Sequence, residues 1–101
     1  MIPVANSSVL ISLSAINQLA LLPHRFPQGV LIPEAVWREV VLTGRGRPGA
    51  QAVAQATWLQ VQPVQNRTLI ALLRSELDEG EAEAIALAQE RRIPMVLLDE
   101  K

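Results

Sequence analysis

Met95-Val96-Leu97-Leu98-Asp99, near the carboxyl end of a 101-residue chain, is the stretch that decides the fold. A short apolar run of this kind reads as a strand buried on both faces, the pattern of parallel sheets. A carboxylate follows at once. In open α/β sheets ligands bind just beyond the carboxyl ends of the strands, so Asp99 is placed where a site would begin.

Working toward the amino end, Pro94 precedes this strand, and the alanine-rich segment Glu81 to Arg92 reads as a helix. Acidic residues (Asp78, Glu79, Glu81) crowd its start and Arg91 and Arg92 close it, the charge order that suits a helix dipole. Thr68 to Glu76 is a helix by the spacing of Leu69, Leu72 and Leu73. Trp58 to Gln62 alternates and reads as a strand closed by Pro63. A short helix over Ala50 to Ala56 follows the turn-rich loop Thr43 to Gly49. Val30-Leu31-Ile32 is another strand, with Pro33 opening a helix over Glu34 to Leu42. Ile2-Pro3-Val4-Ala5 is a strand in front of three good helix caps, Asn6, Ser7 and Ser8. One helix is expected from Val9 to Leu22, ended by Pro23.

Strands separated by helices predict parallel crossovers. The expected fold class is α/β, a three-layer α/β/α sandwich with a mostly parallel sheet, as one domain over residues 1–101. Half of the residues are apolar and only 3% are aromatic, which suits α/β layers and excludes disorder. A net charge of −1 gives no overall pull toward nucleic acids or membranes. The absence of cysteine excludes disulfides and thiolate metal sites. There is no leader-like segment and no apolar run near the roughly 20 residues that span a bilayer, so no membrane partner is expected and a cytoplasmic location is.

On a helical wheel, Glu79, Glu83 and Glu90 share a stripe that reads as solvated surface. Glu81 falls nearly opposite, beside Ile85 and Ala88. A carboxylate on a buried face is costly unless it is paired, capped or bound to a cation; the alternative is a first-turn glutamate held by free backbone N–H groups. Glu39 falls between Ala35 and Val36, inside the apolar arc of its helix, and could equally pair with an arginine at the core edge. Taken alone, Asp99 is an ordinary turn residue and Asn6 an ordinary cap. Together, Asn6, Glu39, Glu81 and Asp99 form an oxygen-only set. Such a set suits a hard cation, Mg²⁺ or Mn²⁺, which can activate water for displacement at phosphate.

Four stretches then carry a resemblance: Val4 to Ile11, Leu31 to Val40, Leu77 to Ala88 with its Gly80-Glu81-Ala82-Glu83-Ala84-Ile85 core, and Val96 to Glu100. Together they resemble the PIN domain of the toxin type, similar to VapC-like metal-dependent ribonucleases of toxin–antitoxin systems. The resemblance implies a parallel sheet between helices with acids gathered at one carboxyl edge. It also implies that Glu39, Glu81 and Asp99 hold the metal and serve catalysis, that Asn6 stands where the family has an aspartate, and that Ser8 supports it. RNA becomes the expected substrate and an antitoxin-like protein the expected partner. Two departures bear on activity. Asn6 brings an oxygen without negative charge, which implies weaker metal binding and slower or absent cleavage. The chain is also short for the family, which implies that the C-terminal part of the family fold is missing. That leaves an open sheet edge for a second copy or another partner to cover, and a homo-oligomer is expected. The alternative function is a degenerate, non-catalytic PIN module acting through protein–protein binding.

His24, the only histidine, reads as a surface loop residue, and Ser7 and Ser8 read as caps rather than nucleophiles. Trp37 and Trp58 read as core or subunit interface rather than base-stacking platforms. Arg45-Gly46-Arg47 lacks the phosphate-loop pattern; with Arg67 and Arg74 it could form a modest RNA track.

Overall fold

Val4 and Ala5 are apolar, fully buried and flanked by Pro3 and a cap, and they form the central strand β1 (Val4–Ala5). The computed structural model describes residues 2–98. Around β1 stand β2 (Val30–Pro33), β3 (Leu59–Gln62) and β4 (Val96–Leu97), all parallel, in the order β3-β2-β1-β4. The expected layered α/β fold is the one observed.

The helices are α1 (Ser7–Ala15), α2 (Leu21–Arg25), α3 (Glu34–Trp37), α4 (Ala50–Gln55), α5 (Arg67–Leu73) and α6 (Glu79–Glu90). The strand order explains where they lie. The chain steps outward from β1 to β2 to β3, then returns across the sheet to β4. Crossovers of one hand put helices on one face for outward steps and on the other face for the return. The two halves of the core follow this division. Ala5, Val30 and Ile32 pack with Leu10, Val36, Val40 and Val53 from the outward connections. Val4 and Leu31 pack with Ile70, Ala82, Ala86 and Leu87 from α5 and α6. Neighbouring strand residues thus point to opposite faces, as pleating requires.

Three expectations about the elements are corrected. The single helix from Val9 to Leu22 is two helices, because Asn17 adopts a left-handed backbone with φ 57° between them. Asparagine tolerates that conformation better than most residues. Pro23 accordingly does not end a helix. It is the third residue of α2, in the first turn, where a missing N–H costs little. The helix expected over Glu34 to Leu42 changes character after one turn: α3 passes into a π-helical segment, Arg38–Thr43. Gly44 follows it. A Cβ there would lie 2.5 Å from the Val40 carbonyl oxygen, so the wide turn closes only on a glycine. Finally, β4 is not buried on both faces. It is an edge strand of the described sheet, half-buried, and Leu98 beyond it is 54% exposed.

His24 is exposed, although on α2 rather than in a loop, and both tryptophans are half-buried against the core beneath the outward helices. No helix among the described residues is long and apolar enough to cross a membrane.

Candidate functional site

The strand order reverses direction between β1 and β4, and in doubly wound sheets ligands bind at such a switch point. Register places the two carboxyl ends side by side: Ala5 pairs with Leu97, and the Asn6 N–H donates to the Leu97 carbonyl at 3.2 Å. Asn6 is 3% exposed. Its Oδ1 accepts the Val9 N–H at 3.2 Å, so it caps α1. Asp99, which follows Leu98 in the sequence, lies outside the described residues.

Helix α6 begins against the same edge. Asp78 is its N-cap, accepting the Glu81 N–H at 2.8 Å. That gives Asp78 a definite role the sequence left open. Ser7, 4% exposed, sits beside the first turn of α6: a Cβ on Gly80 would lie 3.5 Å from its Oγ. That hydroxyl has no hydrogen-bond partner among the described residues. Glu81 is half-buried at the head of α6, and its side chain makes no ion pair among the described residues.

Glu39 departs from the wheel. It is exposed, not inside the apolar arc. A wheel at 100° per residue assumes an α-helix, but Glu39 is the second residue of the π-helical segment, whose wider turn rotates later side chains out of that register. It lines a cleft of about 330 Å³ with Arg38, Leu42, Thr43, Glu79 and Gly80. Glu39 and the start of α6 therefore border one depression.

The stripe of Glu79, Glu83 and Glu90 is where sequence reasoning missed most. It is solvated at Glu79, which is 54% exposed, but buried at Glu83, so the stripe lies along a seam. Glu79 is bridged by Arg38 at 3.3 Å and Arg74 at 3.6 Å. Glu83 is 2% exposed; it accepts the Ala35 N–H at 3.2 Å and an Arg67 N–H at 3.1 Å. Glu90 accepts the Gln65 and Asn66 N–H groups at 2.7 and 2.6 Å. The wheel grouped these three correctly. What it could not see is that α3 and α5 close over that face. Arg67 and Arg74 thus pair with carboxylates of α6, with side chains that are 62% and 48% exposed.

Among the described residues, no three His, Cys, Asp or Glu side chains form a metal-holding group. Of the four expected ligands, Asn6, Glu39 and Glu81 are described and Asp99 is not. The donors are nonetheless oxygens throughout, with the unpartnered buried Ser7 hydroxyl beside them. Such donors fit a hard divalent cation and offer nothing to a soft one.

An all-parallel sheet between helices, with polar residues brought to the switch point, defines a layered α/β domain with a candidate site at its carboxyl edge. The family model described as a PIN domain matches residues 2–101. The chain belongs to the PIN-domain family. No curated protein and no solved structure matches it significantly.

Proposed function

We propose that this PIN domain hydrolyses RNA phosphodiester bonds with Mg²⁺ or Mn²⁺, at a rate lowered by Asn6, in the manner of the ribonuclease toxins of toxin–antitoxin systems. The observation that carries the reading is the juxtaposition at the switch point. The end of β1 with Asn6, the end of β4 and the start of α6 share one edge. Glu39, Glu81 and Asp99 would hold the cation as carboxylates and Asn6 as a neutral oxygen donor. A cation so held supplies an activated water and stabilises charge at the phosphate. The chain's own part is to fix the donors. Asp78 sets the first turn of α6 and so the position of Glu81. The β1–β4 register sets Asn6. The π-helical segment turns Glu39 toward the cleft instead of the core.

One observation favours a second reading. Asn6 is neutral, and its only side-chain oxygen is occupied in capping α1. A module with this arrangement could retain the fold without chemistry and act by binding an antitoxin-like protein or a second copy of itself along the β4 edge, as exposed strand edges invite.

Asn6→Asp separates the two. Aspartate caps a helix as well as asparagine does, so the fold is preserved while a charge is added. On the nuclease reading, the variant binds Mn²⁺ about tenfold more tightly by calorimetry, the scale on which metal-site changes act. Cleavage of a labelled single-stranded RNA also rises and is abolished by chelation. Unchanged metal affinity and no cleavage in either protein would leave the binding module as the function.

A further inference from the structure

We infer that Arg45 and Arg47 hold the phosphate backbone of a single-stranded RNA along a groove that leads to Glu39, an inference that rests on the nuclease reading of that cleft.

The groove is built from shared walls. The cleft beside the start of α6 shares Glu39 and Thr43 as a wall with a second, of about 340 Å³, that also takes in Arg47. Arg47 in turn opens onto a third, of about 460 Å³, shared with Arg45 and Leu42. All three lie against the π-helical segment, with Glu39 and the Arg38–Glu79 ion pair at one end and the Arg45 and Arg47 guanidiniums at the other. Arg45 and Arg47 flank Gly46, whose φ is 84° and whose Cβ position would meet nothing within 4 Å, so the loop tip stands clear of the rest of the molecule.

Commitment of the other cations points to the same pair. Arg38 and Arg74 bridge Glu79, and Arg67 bridges Glu83. Arg91 donates to Gln62, and Arg25 lies over the Phe26 ring. Arg45 and Arg47 make no ion pair among the described residues, and both are exposed. Arg92 likewise makes no ion pair among the described residues, but it is exposed just past the carboxyl end of α6, a helix that packs on the face of the sheet opposite the groove. Two forked cations on an open loop suit a polyanion whose charges repeat along its length, because guanidinium pairs phosphate in two-point fashion. At the far end Glu79 is paired with Arg38 and Arg74, and Glu39 is the carboxylate left to face the cleft, where a divalent ion would be held. The polarity of the groove therefore sets a direction, with backbone gripped at the loop and chemistry at Glu39.

The test uses the full chain and a fluorescein-labelled single-stranded RNA of about a dozen nucleotides, with anisotropy read in chelator so that binding is measured without cleavage. Arg45→Gln with Arg47→Gln should weaken binding about tenfold at low salt. It should also flatten the log–log salt dependence by about 1.4, since each single-strand phosphate contact contributes about 0.7. Arg92→Gln should change neither. Three results overturn the inference: a double variant that binds like wild type; an equal loss in Arg92→Gln, which reports bulk charge alone; or a wild type that ignores RNA but binds an acidic peptide through the same arginines. Cleavage by wild type with Mn²⁺ is scored separately. Arginine-dependent binding without cleavage removes the nuclease reading and keeps the grip. Cleavage indifferent to both arginines does the reverse.

Discussion

Replacing Glu83 by alanine should lower the unfolding free energy by about 3–4 kcal/mol, a large part of the 5–15 kcal/mol typical of a domain. The carboxylate is 2% exposed and joins three elements: α6 carries it, the first turn of α3 donates to it through Ala35, and α5 through Arg67. Alanine removes both acceptors at once. The Ala35 N–H is then buried without a partner, which alone costs about 1–3 kcal/mol, and a cavity opens where the side chain lay. Two companions apportion the loss. Glu83→Gln keeps an acceptor for Ala35 and gives up the charge facing Arg67, so it should cost about half as much. Arg67→Ala should cost about 1–2 kcal/mol. That is less than for a fully buried pair, because the Arg67 side chain is 62% exposed and screened. Urea titration reads all three. An alanine variant within about 1 kcal/mol of wild type would mean that Glu83 is not the joint between these helices.

Glu81→Gln and Asp99→Asn, tested one at a time, should each reduce metal-dependent RNA cleavage about a hundredfold or more. Loss of an outer-shell partner already costs tenfold to a hundredfold in metal sites, and a direct donor matters more. Glutamine and asparagine preserve shape and the amide oxygen, so folding is unaffected and the missing quantity is charge. Glu81 is suited to this test because its backbone is held independently, through Asp78, and its side chain is half-buried without an ion pair among the described residues. Melting temperatures equal to wild type with abolished cleavage fit the proposal. Cleavage that survives in both variants under chelation removes the two carboxylates from the chemistry and the cation with them.

Much of this fold was legible because its signals are local. Three apolar runs and one alternating segment, each bounded by proline or a cap, specify the strands, and helices between them favour parallel pairing. What could not be read came from two sources. Asn17 and the π-helical segment change the backbone within otherwise helical patterns, and composition gives no warning of either. The placement of Glu39 by a regular wheel failed for that reason alone. The burial of Glu83 failed differently. Its stripe was assigned correctly, but whether a polar stripe meets water or two other helices depends on partners more than a dozen residues away. Spacing gave no signal either: Arg67 and Arg74 stand about two helical turns apart and Glu79 and Glu83 about one, so the pattern alone does not match them across an interface. At the site, the ends of the strands were legible as donors. The capping role of Asp78 and the unpartnered Ser7 hydroxyl became visible only once α6 was docked.

Strand β4 is held to β1 by two residue pairs, whereas β2 and β3 share four. In hydrogen exchange, short outer strands of this kind open before the interior does. The Leu97 amide, and with it that of Val4, which donates to the Met95 carbonyl, should thus lose protection well ahead of that of Leu31, which donates to Pro3. Detachment of one short segment would then uncover Asn6 and the end of β1 while leaving the rest of the domain folded, so on the proposed function metal occupancy and closure of the sheet are coupled events.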